Sequence, residues 1–251
     1  GKAVPLPLLE ENDFGFDLDY FESLVTDKTK LIIINSPHNP TGGVLTKEQL
    51  QRIAEIATKR GIWVLADEIY SRTLYNIKHE SITQFSGMTD RTILLDGLSK
   101  TYAMTGWRLG YGVMPVEMAK WITQMAINCY SCTNAFSQQA IIEAYQGPQE
   151  EPEKMVAEFA RRRQFIVDGL NAIPNISCKM PPGAFYAFPN IRKTGHTSRD
   201  LENDLLQQAG VAVLSGTAFG EYGDGHLRLS YANSIDNIKI ALERIADYLQ
   251  K

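Results

Sequence analysis

The sequence predicts an α/β fold: a mostly parallel sheet with helices on both faces, then a smaller α+β domain toward the C-terminal end. Three observations lead there. Short apolar runs alternate with helix-period segments through the first half of the chain. One of those helices has both of its ends written in the sequence. The composition then changes at Gln146-Gly147-Pro148-Gln149-Glu150-Glu151-Pro152, which reads as a linker or helix junction. We place the boundary there, with a large domain over 1–147 and a small one over 148–251.

The elements follow in order. Leu31-Ile32-Ile33-Ile34 is a buried strand running into a proline-rich loop, Asn35 to Gly43. Thr46-Lys47-Glu48-Gln49 is a capping box, with Thr46 as N-cap and Gln49 three residues on. Leu50, Ile53, Ala54 and Ala57 keep one apolar face, and Gly61 is suited to end that helix in a left-handed turn. The next strand starts at once with Ile62 and Trp63 and carries Asp67 at its end. Apolar runs at Thr92–Leu95 and Leu109–Val113 supply two further strands. This strand–helix–strand rhythm requires crossovers, and hence parallel pairing. Open sheets of this kind bind ligands at the carboxyl ends of their strands, where Asn35, Asp67 and the turn before Lys100 all fall.

In the second domain a charged helix presents Met155, Phe159, Phe165 and Ile166 on its apolar side and Arg161, Arg162 and Arg163 to solvent. Strand-like stretches lie at 183–188 and 226–230. A helix from about Ser198 to Ala209 between them is ended by Gly210. In the last strand Leu227 and Leu229 face one side and His226, Arg228 and Ser230 the other, so Arg228 can point at a cleft. His226 reads as a structural or solvated residue.

Composition limits the function classes. The chain has 251 residues, 44% of them hydrophobic, enough for a sizeable core. A net charge of −4 gives no electrostatic footprint for nucleic acid. No run approaches the roughly 20 apolar residues of a membrane span. Three cysteines point to a reducing, cytoplasmic setting rather than a disulfide framework. Cys129 and Cys132 lack the partners of a zinc site, and we read them as small apolar residues one helical turn apart.

The segment richest in chemistry runs from Asp96 to Gly110. Lys100, in a tight turn after a buried strand, is suited to bond an aldehyde as an imine, and Arg108, eight residues on, to grip a phosphate. Together they point to pyridoxal 5'-phosphate. Asp67 at a strand end can pair with a protonated pyridine nitrogen, and Tyr70 can donate to the ring phenolate oxygen. Asn39, held before Pro40, is a stiffened donor for the same oxygen. Each motif has a plainer reading: a solvated lysine, an Asp capping a turn, an ordinary Asn-Pro turn, a surface arginine.

Asn39-Pro40-Thr41-Gly42, Asp67-Glu68-Ile69-Tyr70, Ser99-Lys100 with Arg108, and Arg228-Leu229-Ser230 together resemble the class I/II aminotransferases of the fold type I pyridoxal-phosphate enzymes, in their aspartate/aromatic branch of bacterial type. The resemblance implies that Lys100 is the imine lysine and proton carrier, Asp67 the pyridinium partner, and Tyr70 and Asn39 the phenolate donors. It makes Arg108 a phosphate ligand, with Ser99 beside it, and Arg228 with Asn39 the holders of the substrate α-carboxylate. It implies an amino acid and a 2-oxo acid as substrates and a homodimer as the assembly. A C–S lyase or synthase on the same scaffold, and the effector domain of a regulator, are the alternatives. Two departures stand out. Gly97 occupies the place where many members carry a phosphate-binding serine. The sequence also opens after the family's N-terminal arm, Gly-rich helix start and ring-stacking aromatic. A chain without them is expected to bind the cofactor weakly and to be nearly inactive.

Overall fold

A computed structural model describes residues 1–250, which divide into two compact units. Among the described residues the first comprises 1–6, 16–37 and 45–154, and the second 7–15, 38–44 and the rest of the chain from 155. The changeover lies inside a helix, after Lys154, and two earlier segments that a cut at 147 assigns to the first unit belong with the second.

The first unit holds α1 (Leu18–Leu24), β1 (Leu31–Asn35), α2 (Lys47–Arg60), β2 (Trp63–Asp67), β3 (Thr92–Gly97), α3 (Leu98–Thr101), β4 (Gly110–Val113), α4 (Val116–Tyr130), α5 (Ala135–Gln146) and the start of α6 (Glu150–Asn171). Its sheet has the order β1-β2-β3-β4; the first three strands are parallel and β4 is antiparallel to β3. The capping box at Thr46 forms as the sequence requires, and Gly61 ends α2 with φ 66°. Leu50, Ile53, Ala54, Ile56 and Ala57 of α2 are buried, as are Val64 and Ala66 of β2.

α4 has no buried residue and α5 buries only Ser137. Two expectations need correction here. β1 is not wholly buried, since Leu31 and Ile33 are exposed. Their side chains share one face of the strand, as period-two alternation dictates. Second, Cys129 and Cys132 do not share a helical face. The helix stops at Tyr130, where Ser131 takes φ 65°, and both thiols are exposed.

In the second unit α6 continues, followed by β5 (Tyr186–Ala187), α7 (Ser198–Asp204), β6 (Leu214–Ser215), β7 (Leu227–Ser230) and α8 (Ile235–Leu249). The three strands form an antiparallel sheet of order β5-β7-β6. Leu170, Ile191, Leu201, Leu205, Tyr231 and Ile245 are among its most deeply buried side chains, and the Tyr231 hydroxyl donates to Ala184 O at 3.0 Å. The helix expected over 198–209 is α-helical only to Asp204 and continues as a π turn to Ala209 before Gly210 closes it. The arginine triplet of α6 is not uniformly solvated. Arg163 turns inward, and its Nη1 donates to Pro181 O at 3.0 Å. His226 is the structural residue of the two readings: buried, and stacked on Phe188 at 4.8 Å.

Thr46→Ala removes a side-chain acceptor for the Gln49 N–H and should cost about 1 kcal/mol of stability. A lowered urea midpoint with unchanged slope is the expected result.

Candidate functional site

The first unit brings three of the expected groups together. The register pairs Asn35 with Asp67 and Asp67 with Leu95, so β1 and β2 end level and β3 runs two residues past them to Gly97. The carbonyl of Asp67 accepts from Asn35 Nδ2 at 3.0 Å and from Ser36 N at 3.2 Å. Its carboxylate Oδ1 accepts from Ile69 N at 3.2 Å, so Asp67 does form the turn contact of its plainer reading. Burial raises the Asp67 pKa above the usual carboxylate value; the Ile69 N–H and then the positive charge of Lys100 pull it back down. Lys100 Nζ lies 5.9 Å from the centre of the buried Tyr70 ring. Carboxylate, amine and phenol therefore form one cluster.

The lysine turn is anchored from several directions. Gly97 meets Gly110 so closely that a Cβ at 97 would lie 2.9 Å from both Gly110 Cα and Leu109 O. A serine cannot enter without moving backbone, which explains why this position departs from the pattern noted above. Asp96 Oδ1 accepts from Gly97 N and its Oδ2 accepts from the Tyr111 hydroxyl. Tyr102, just beyond α3, donates to Gln149 Oε1 at 3.1 Å and accepts from Arg72 Nη1 at 2.8 Å.

Ser99 lies within α3, next to Lys100. Arg108 is exposed in a left-handed conformation, φ 53°, and its Nη1 donates to Thr105 O at 2.8 Å. Its hydrogen bond goes to its own turn rather than to Ser99 or Lys100.

The second unit joins the other two. Asn39 lies in a loop locked by His38 N to Gly43 O and Gly42 N to His38 O, both at 2.8 Å. Gly42 takes φ 71°, and a Cβ there would meet Pro181 at 2.4 Å. The peptide bonds before Pro37 and Pro40 are cis. Arg228 Nη1 donates to Asn39 Oδ1 at 2.9 Å, which turns the Asn39 amide so that Nδ2 is its donating end. Burial pushes the His38 imidazole down to about 4.

Sequence reasoning missed Glu68. It is buried, its Oε2 lies 2.6 Å from His79 Nε2, and its Oε1 accepts from Ser81 at 2.8 Å. No local signal marks it, since His79 and Ser81 lie 11 and 13 residues further along the chain. Reasoning also missed the rings beside Arg228: Tyr186 and Phe219, centred 4.6 and 4.9 Å from Cζ. Among the described residues no cluster of acidic, histidine or cysteine side chains could hold a metal ion.

Comparison with known proteins adds the decisive observation. The model of "Aminotransferase class I and II" matches residues 1–245. The chain belongs to that family. An aspartate aminotransferase of Pyrococcus abyssi is 40% identical over 254 residues, and an aromatic-amino-acid aminotransferase of Thermococcus litoralis 38%. Each comparison covers 100% of this chain and 65% of the relative, so the chain spans about two thirds of these aminotransferases' length. The crystal structure of an aromatic aminotransferase from Pyrococcus horikoshii superposes with a TM-score of 0.96 at 40% identity, over 100% of this chain and 68% of that one. The α/β class with a mostly parallel sheet is that of these aminotransferases.

Two outcomes follow. Glu68→Ala strips His79 and Ser81 of their partner and should cost about 2–4 kcal/mol of stability; an unchanged thermal midpoint would contradict the buried network. The second concerns pH. The folded state binds the His38 proton less readily than the unfolded chain, whose imidazole titrates near 6.5. Stability is therefore full above about pH 6.5 and falls, by roughly 1–3 kcal/mol, as pH drops toward 4. Urea titrations across that range should show the decline, and His38→Asn should flatten it.

Proposed function

We propose that this protein is a pyridoxal-phosphate-dependent aminotransferase that moves an amino group between an aspartate-like or aromatic L-amino acid and a 2-oxo acid. Family membership supports the reaction class. The observation that carries the reading for this chain is the cluster of Lys100, Asp67 and Tyr70 at the carboxyl ends of β2 and β3.

The donors present suit the cofactor's groups. Lys100 offers an amine for its aldehyde, Asp67 a carboxylate for its ring nitrogen and Tyr70 an O–H for its ring oxygen; the family resemblance assigns Asn39 to the same oxygen. Arg108 and Ser99 offer a guanidinium and a hydroxyl to its phosphate. When bound, pyridoxal phosphate supplies an electron sink for the pair left at the substrate Cα. Asp67 would be the carboxylate partner that keeps a proton on the ring nitrogen. Lys100 Nζ would take the substrate Cα proton as a general base and give the same proton back as a general acid, so that none is consumed. Arg228 holds the α-carboxylate through two parallel N–H donors and so fixes the orientation of the Cα–H bond. A homodimer and a cytoplasmic setting belong to the same reading; three cysteines without a disulfide accord with the latter.

Incubation with an amino-acid panel plus 2-oxoglutarate tests the proposal. Ping-pong kinetics with a 2-oxo acid product support it; release of pyruvate and ammonia, or no turnover by the full natural protein, would overturn it. Lys100→Ala should lower kcat by about three powers of ten or more. Arg228→Lys should raise KM for both substrates while cofactor affinity survives, because an ammonium keeps charge but loses the planar fork.

A further inference from the structure

Arg228 occupies an unusual environment for a guanidinium. Its Nη1 is engaged by Asn39, while its Nε is buried and makes no hydrogen bond. No carboxylate pairs with it among the described residues. The rings of Tyr186 and Phe219 are its close neighbours instead, at 4.6 and 4.9 Å from Cζ. A ring face attracts a cation without consuming an N–H, so the charge is held while the donors stay available. The buried Nε is closed off by its surroundings, so the Nη end of the guanidinium is the part that can meet a carboxylate oxygen.

The two rings are placed independently. Tyr186 is buried in β5, and its backbone pairs with Ser230, two residues beyond Arg228 on β7. Phe219 ends the short helical turn Gly216–Phe219 that leaves β6, and β6 pairs Leu214 with Arg228. That turn is closely packed: a Cβ on Gly216 would lie 1.9 Å from Gly223 O, and Ser215 Oγ accepts from Thr217 N. Phe219 is 38% exposed, so its ring contributes little to the core.

We infer that Phe219 is a positioning residue for substrate: with Tyr186 it holds the Arg228 guanidinium in place, so that its terminal N–H groups meet the carboxylate of the amino acid and of the 2-oxo acid alike. The inference rests on the role proposed for Arg228. Because one carboxylate site serves both half-reactions, loosening the clamp weakens both substrates together and leaves the proton-transfer groups alone.

The test uses the full natural chain loaded with pyridoxal phosphate. Calorimetry measures binding of 3-phenylpropanoate, a carboxylate with no amine to transfer, and steady-state kinetics give KM and kcat. Phe219→Leu should weaken the probe and raise both KM values by about 3- to 10-fold, with kcat and cofactor affinity kept. Phe219→Tyr, which restores a ring, should bring all three back. An unchanged probe affinity in Phe219→Leu, or a loss that Phe219→Tyr fails to rescue, overturns the clamp. Arg228→Lys separates the clamp from the carboxylate role of Arg228. If it weakens the probe while Phe219→Leu does not, the clamp alone fails. If it leaves the probe unaffected, the carboxylate role of Arg228 fails and the clamp with it.

Discussion

The carbonyl oxygen of Asp67 accepts two hydrogen bonds, from Asn35 Nδ2 and Ser36 N, at the point where β1 and β2 both end. That joint fixes the end of the central strand. The parallel ladder then carries the same level across to Leu95 of β3. A buried strand end leaves backbone polar groups that need partners, and here the partners come from the neighbouring strand and from its terminal amide. The Asp67 carboxylate, held again by Ile69 N, therefore has little freedom. Lys100, reached five residues beyond Leu95 through a single helical turn, completes the cluster. Preorganisation of this kind is what proton transfer at a fixed carbon demands.

Much of this was legible in the sequence because it depends on local rules. The capping box, the left-handed Gly61 and the placing of Asp67 at a strand end rest on short-range periodicity and hydrogen bonding. The alternation in the last strand put Leu227 and Leu229 on the buried side, opposite Arg228. The roles proposed for Lys100, Asp67, Tyr70, Asn39, Ser99, Arg108 and Arg228 rest on the chemistry of each side chain and on family resemblance together.

What was not legible depends on long-range packing. Glu68 sits beside Asp67 in sequence, and nothing local says that its carboxylate is buried against His79 and Ser81. Arg163 looks like its neighbours Arg161 and Arg162 until the chain around Pro181 is in place. Gly97 reads as a lost hydroxyl, whereas the approach of Gly110 makes it a steric requirement. The rings beside Arg228 come from elements far apart in sequence, Tyr186 on a two-residue strand and Phe219 on a short turn, and neither has a periodicity to betray it.

The central claim is that Lys100 is the amine that bonds the cofactor. Borohydride reduction of the pyridoxal-phosphate-loaded protein, followed by peptide mass mapping, tests it directly. The account predicts one stably attached phosphopyridoxyl group, on the peptide containing Lys100. A label on any other lysine, or none on a protein that binds the cofactor, would contradict it.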